Sequence, residues 1–257
     1  MFGFVYEDSE IEINSIEKYM KNNKINSGLM ILSGGCTMFD IALYFDELTA
    51  IDTNDEQINL VNKKIELIKK NDKDVYQKYL ESIDMNFDIM FKKIKNGSNI
   101  KDVFDKDNLI KNFGINAVKN TSHNFAEHFQ TVYNSKSKYH DFIFNRNFDY
   151  KLRNYDNYVS NIKKIEKVNL IKNDMYTFLK NSDKRYDFIQ TSNITDWIDN
   201  DNFIELCKLL KEKLNQNGIL LMRRMLSDNI LEKEFPNCIH LKDNTNIYSE
   251  CILWIKY

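Results

Sequence analysis

Ser27-Gly-Leu-Met-Ile-Leu-Ser-Gly-Gly-Cys-Thr-Met-Phe-Asp40, followed by Leu48-Thr-Ala-Ile-Asp52-Thr-Asn54, is the stretch whose reading decides the fold. A buried strand over Leu29–Leu32 runs into a small-residue loop, Ser33–Thr37. A short helix follows, then a second strand that ends on an acid. This is the order of the nucleotide-binding half of an α/β fold. Gly34 and Gly35 allow a sharp turn and a close approach of backbone to ligand, and the N–H groups opening the next helix offer partial positive charge. Asp52, eighteen residues beyond Gly34, stands where such folds place the carboxylate that holds ribose hydroxyls. Three of the seven glycines fall between Gly28 and Gly35, which marks the loop as conformationally constrained.

The loop does not read G-x-G-x-x-G, and it lacks the G-K-[ST] ending of a P-loop. A nucleoside without a pyrophosphate suits it better, and S-adenosylmethionine is the commonest such ligand. The alternative is a tight turn in an enzyme whose ligand binds elsewhere.

The 257 residues are enough for one large α/β domain, or for a domain with a sizeable insertion. Lysine and arginine total 36 against 38 acids, so the broad basic surface of a non-specific nucleic-acid binder is absent and no clear nucleic-acid footprint emerges. No apolar run approaches the ~18 residues that cross a bilayer, and Met1–Asp8 lacks the basic flank and length of a signal peptide. The expectation is a cytoplasmic protein that touches membranes, where it does, peripherally. Cys36, Cys207, Cys238 and Cys251 are widely spaced with no C-x-x-C pair, which fits a reducing compartment. His123 and His128 would point about 140° apart on a helix, and Glu127-His128 does not complete H-E-x-x-H. No metal site follows.

After Asp52 a helix is capped by Asn54, with Gln57 in capping-box spacing and Ile58, Val61, Ile65 and Ile68 along one face. From about 71 to 167 the pattern changes. Clusters such as Phe87-Ile89-Met90-Phe91-Ile94 and Phe125-His128-Phe129-Val132-Tyr133 have helical spacing, and strand signals are scarce. The expected organisation is a single domain over 1–257 with a helical, acceptor-side insertion whose aromatics mostly build core, a few lining an acceptor pocket. The α/β rhythm resumes with strands at Val168–Ile171 and Tyr186–Thr191. A helix over about Phe203–Leu214 and a Gly218 turn lead to a strand at Ile219–Met222, and a terminal hairpin includes Ile247–Ile255. Ligands in such sheets bind at the carboxyl ends of the strands, where Asp52, Asp174, Ser192, Asn193, Asp196 and Arg223 fall.

Several separated segments, in order, resemble a known family. Tyr6-Glu7-Asp8 looks like its W/Y-E-D element, Leu32-Ser-Gly-Gly-Cys36 like its S-x-G-[CD] loop, and Ala50-Ile-Asp52-Thr-Asn54-Asp-Glu-Gln57 with Lys64-Ile65 like its V-D-x-N-P-x-Q and following L-K helix. Phe125-Ala-Glu-His128-Phe129 resembles F-A-x-H-F, Ser192-Asn-Ile-Thr-Asp196-Trp197 resembles L-S-[ND]-x-x-D-W, and Asn217-Gly218 through Arg223 resembles the G-x-x-x-x-R strand. The family is that of the BtaA-like S-adenosylmethionine:diacylglycerol 3-amino-3-carboxypropyltransferases of betaine-lipid synthesis. Here Asp55 stands in place of the family's proline.

The resemblance implies a Rossmann-like class I AdoMet-dependent transferase core, S-adenosylmethionine as co-substrate, and aminocarboxypropyl transfer to a small-molecule or lipid acceptor. Asp52, with Thr53, Asn54 and Gln57 nearby, would hold the ribose. Asp174 and the Met175 backbone would read adenine, although Asn173-Asp174 also suits a helix cap. Ser33, Gly34, Gly35 and Cys36 would meet the amino-acid moiety, Ser192 and Asn193 would also bind the cofactor, and Arg223 would pair bidentately with the amino-acid carboxylate or be a solvated strand end. Asp196 and His128 are the acid/base candidates; a histidine between Phe125 and Phe129 also reads as a core residue. The rival functions are a methyltransferase of the same fold and a non-catalytic AdoMet-binding protein.

Overall fold

The computed structural model describes residues 6–20, 25–83, 86–113, 125–135, 144, 149–152, 154–225 and 229–257. His123 and the side chains of Phe87 and Phe125 lie outside the described residues. In chain order the first elements are helix α1 (Glu10–Tyr19), strand β1 (Ser27–Ile31), helix α2 (Cys36–Ile41), strand β2 (Glu47–Asp52) and helix α3 (Asp55–Lys69). Eight helices follow among the described residues: α4 (Lys73–Ser82), α5 (Asn86–Lys95), α6 (Ile100–Val103), α7 (Lys106–Phe113), α8 (Phe125–Asn134), α9 (Asp149–Leu152), α10 (Tyr155–Ser160) and α11 (Ile162–Ile165). The chain then returns through β3 (Asn169–Lys172), α12 (Met175–Lys180), β4 (Tyr186–Gln190), α13 (Asn200–Lys213), β5 (Leu214–Arg224), α14 (Leu231–Glu234), β6 (Ile239–His240) and β7 (Glu250–Ile255).

The seven strands form one sheet in the order β3-β2-β1-β4-β5-β7-β6. β1 pairs in parallel with β2 and β4, so Met30 stands between Ala50 and Gln190. β7 is antiparallel to both β5 and β6. Burial on both faces explains the near-continuous apolar strands. Met30, Ala50, Phe188 and Ile219 face one core, while Leu29, Ile51, Ile189 and Leu220 face the other, as a period of two requires. The first core extends through Tyr76, Leu80, Phe91 and Phe129 of the helical segment.

Two details differ from the sequence reading. The buried face of α3 is Gln57, Leu60, Val61, Lys64, Leu67 and Ile68, rotated from the expected stripe because Lys64 turns inward to a backbone carbonyl; Ile58 and Ile65 are only half-buried. Gly218 does not break the chain into a turn and a strand. β5 runs on from Leu214, with Leu214 opposite Tyr186 but Ile219 opposite Phe188, a bulge. A Cβ at Gly218 would lie 2.9 Å from the carbonyl oxygens of Asn215 and Asp187, so a glycine is needed there. Phe91, Phe104, Phe129 and Phe144 are buried against one another, Phe104 and Phe129 stacked with centroids 4.6 Å apart, and so build core.

Gly28 lets β1 pass beside buried Phe45 and Leu48, where an added Cβ would sit 2.8 Å from Phe45 Cε1 and Leu48 Cδ1. Overpacking of this kind costs about 1–3 kcal/mol. Gly28→Ala should therefore lower the urea midpoint with an unchanged slope; a variant as stable as the parent would show that the strand yields easily at this point.

Candidate functional site

The strand order reverses between β1 and β4, from which the chain runs to opposite edges of the sheet. In open α/β sheets the crevice at the carboxyl ends of such a pair is the ligand site. On the β1 side the loop is closed by Gly35 N–H donating to Leu32 O at 2.9 Å. Ser33 takes φ 46° and Gly35 φ 77°, and a Cβ on Gly35 would lie 2.8 Å from Val61 Cγ2. Gly35 thus meets two constraints together, a left-handed backbone and contact with α3. Beneath the loop Lys64, fully buried, donates from Nζ to Gly34 O at 2.7 Å.

Asp52 ends β2 beside this loop. Its Oδ2 accepts from Ser33 N at 3.2 Å and its Oδ1 from Asn54 N at 3.0 Å. Asn54 itself caps α3, accepting from Glu56 N at 2.9 Å. Burial pushes the Asp52 carboxyl above its ordinary value, opposed by the N–H groups of Asn54, Ser33 and Thr53. The carboxylate is half-buried and stands at the crevice edge.

On the β4 side lies a buried polar cluster. Glu7 accepts from Gln190 Nε2 at 2.9 Å, from Thr37 Oγ1 at 3.3 Å, and from Ser192 Oγ in a short contact. Behind it Arg223 donates from Nη1 and Nη2 to Glu12 at 2.5 and 3.1 Å, and from Nε to Asp243 at 2.8 Å. Burial works against the Arg223 charge, but Glu12, Glu7 and Asp243 outweigh it and keep the guanidinium protonated. Burial likewise pushes the Glu12 carboxyl up, with Arg223 pulling it down.

The structure brings Ser33, Gly34, Gly35, Cys36, Asp52, Asn54, Ser192 and Asn193 to this one end of the sheet, with Thr53 exposed and Gln57 buried on α3. Asp174 is exposed, and its Oδ1 accepts from Thr177 N at 2.8 Å, so it caps α12; Met175 packs its side chain into the core. Asp196 is buried, its Oδ2 accepting from Asn193 Nδ2 at 2.9 Å and from Met225 N at 2.8 Å. One expectation is corrected. Arg223 is neither solvated nor turned to a ligand carboxylate, because Glu12 and Asp243 already engage its donors and the side chain is fully buried. His128 Nε2 lies 2.6 Å from Ile247 O; a carbonyl only accepts, so this nitrogen donates and an acid/base role for His128 would fall to Nδ1. Glu12, Gln190 and Asp243 escaped the sequence reading. A glutamate between Ile11 and Ile13, and a glutamine closing Tyr186-Asp-Phe-Ile-Gln190, were the available signals.

No family model and no curated protein matches the sequence. Among solved structures, the rRNA methyltransferase aviRa from Streptomyces viridochromogenes is similar over 98% of this chain and 86% of its own, with a TM-score of 0.51 and 9% identity. The N-methyltransferase NodS from Bradyrhizobium japonicum WM9, solved with S-adenosyl-L-homocysteine, is similar over 95% of this chain and 83% of its own, with a TM-score of 0.44 and 9% identity. The likeness to aviRa is one of fold: this sheet order with helices on both faces is an α/β Rossmann-like fold.

Removing a buried cation while its carboxylates stay behind is strongly destabilising, about 3–5 kcal/mol. Arg223→Met should lower unfolding free energy by that order in urea titrations. A loss under about 1 kcal/mol would mean that Glu12 and Asp243 find other partners or take up protons at little cost.

Proposed function

We propose that this chain is an S-adenosylmethionine-dependent transferase that moves a 3-amino-3-carboxypropyl group to a lipid hydroxyl such as that of diacylglycerol. The observation that carries the cofactor half is Asp52, a half-buried carboxylate at the end of β2, held by the N–H groups of Ser33 and Asn54. A carboxylate so oriented beside a glycine turn suits a ribose diol, and the loop lacks the glycine spacing of a pyrophosphate site. Thr53, Asn54 and Gln57 would flank the ribose, and Asp174 with the Met175 backbone the adenine. Ser33 to Cys36, with Ser192 and Asn193, would meet the amino-acid end. The reaction class rests on the family resemblance of the quoted motifs.

In this reading the acceptor oxygen attacks the γ-carbon in line with the sulfonium. The C–O bond forms, the C–S bond breaks with its electron pair going to sulfur, and 5′-methylthioadenosine leaves. We assign the hydroxyl proton to Asp196, held by Asn193 and Met225 N–H. Orienting the two reactants supplies much of the rate. None of the helices among the described residues is long and apolar enough to cross a membrane, so a lipid acceptor would be reached by peripheral contact through the segment between α3 and β3.

Incubation with S-adenosylmethionine and detergent-dispersed diacylglycerol should yield methylthioadenosine and an acceptor heavier by one aminocarboxypropyl group, read by mass spectrometry. S-adenosylhomocysteine as the sole nucleoside product would replace this reading with methyl transfer. Cofactor binding with neither product would make the chain a binding protein. Asp196→Asn should keep cofactor binding while turnover falls about 10²-fold or more; near-normal turnover would leave Asp196 a structural residue.

Asp52 also sets a pH dependence. Its carboxylate form accepts the ribose hydroxyls, so affinity is full above the Asp52 pKa and declines as pH falls through it. Burial raises that pKa, so the decline should begin at a higher pH than for an ordinary aspartate. Asp52→Asn should lose this limb of the titration, and Asp52→Ala should weaken binding by roughly 1.5–3 kcal/mol. Calorimetry showing a wild-type affinity flat into the ordinary carboxylate range would detach Asp52 from the ligand.

A further inference from the structure

The cluster behind β4 carries more negative than positive charge. Glu7, Glu12 and Asp243 all lie within 3.6 Å of the one Arg223 guanidinium, and all four side chains are buried. Glu12 and Asp243 take the close contacts, while Glu7 stands off at 3.6 Å and is held instead by the neutral donors Thr37, Gln190 and Ser192. The Gln190 amide is fixed in orientation, since its Nε2 faces carboxylate oxygens of Glu7 and Glu12 at 2.9 and 3.4 Å. Its Oε1 is then buried with no hydrogen-bond partner, an arrangement that native interiors avoid unless a donor arrives. A carboxylate short of cationic neutralisation and an orphaned carbonyl oxygen therefore sit in one cluster. It lies at the carboxyl ends of β1 and β4, against the first turn of α2 and beside Ser192, whose φ of 51° is rare for a serine.

We propose that Glu7 and Gln190 form the seat of a primary ammonium group. Resting on the function proposed above, this is the α-ammonium of the amino-acid end of S-adenosylmethionine. An ammonium carries three donors and no acceptor, which fits Glu7 and Gln190 Oε1 and suits a cluster with Ser192, Thr37 and Gln190 Nε2 already donating to Glu7. The same seat repels a carboxylate, so the ligand's carboxylate is turned away from Glu7. Because the ammonium belongs to the group that aminocarboxypropyl transfer moves, Glu7 would hold the same nitrogen before and after that reaction.

Calorimetry with S-adenosylhomocysteine, with its 2-oxo analogue lacking the ammonium, and with methylthioadenosine lacking the whole amino-acid end tests this. Wild type should bind S-adenosylhomocysteine at least about tenfold more tightly than the 2-oxo analogue, the scale of a hydrogen bond to a charged group. Glu7→Gln and Gln190→Met should each remove most of that preference and leave methylthioadenosine affinity unchanged. A wild type that does not distinguish the amine from the oxo compound overturns the ammonium seat even if no variant folds, and leaves the cofactor reading standing. Variants that lose affinity for S-adenosylhomocysteine and methylthioadenosine equally overturn it too, by reducing Glu7 and Gln190 to scaffolding. A wild type that binds none of the three compounds overturns the cofactor reading and this inference together.

Discussion

The ligand end of this sheet is organised around one buried guanidinium. Arg223 reaches Glu12 from α1 and Asp243 from the segment before β7, and its Nη2 meets the Asp8 carbonyl at 3.4 Å. The planar fork satisfies a bidentate carboxylate and a second one at once, which an ammonium does less well. The consequence is positional. With Glu12 fixed, the start of α1 lies over the ends of β4 and β5, and Glu7 is brought to Thr37, Gln190 and Ser192. A buried ion pair is weak evidence of added stability over an apolar substitute. Its effect here is to fix which wall faces the crevice, because Glu12 on α1 is held by both terminal nitrogens of the guanidinium.

A second buried basic side chain shapes the other wall. Lys64 holds the Gly34 carbonyl from below while Val61, one turn earlier on α3, presses against Gly35. The helix therefore fixes the loop by a hydrogen bond and a contact, with Asp52 closing it from the side. Turning Lys64 inward rotates the apolar face of α3 and leaves Ile58 and Ile65 half-buried. A polar requirement of the loop overrides hydrophobic periodicity at this helix.

This division explains what could be read in advance. The β1–loop–α2–β2 unit was legible because its signals are local: an apolar strand, paired glycines, an acid at a strand end, an Asn cap. The parallel return through β3, β4 and β5 was legible from short apolar runs. The charge cluster was not, since Asp8 N and Asp243 bond across 235 positions and nothing near Arg223 in sequence shows that its partners come from α1. An arginine ending a strand looks ligand-facing or solvated until the third dimension supplies two carboxylates. In the helical segment, spacing predicted helices but could not separate core from pocket. Phe104 and Phe129 stack on each other, and the periodic pattern would have been the same had they faced a ligand.

The distribution of constraints also bears on reaction class. In the proposed reading, a grip on the nucleoside through Asp52 and the glycine loop would leave the sulfonium free to present either its methyl carbon or its γ-carbon, so these residues are compatible with both transfers. The choice would then require that rotation about the sulfonium be fixed from the side of the amino-acid end, which in that reading is the wall that Arg223 assembles. The motif that reveals the fold is therefore silent on the chemistry, and the residues that would decide it in that reading, Glu7, Gln190 and Ser192, are drawn from distant segments and joined through one carboxylate, a meeting that the sequence does not show.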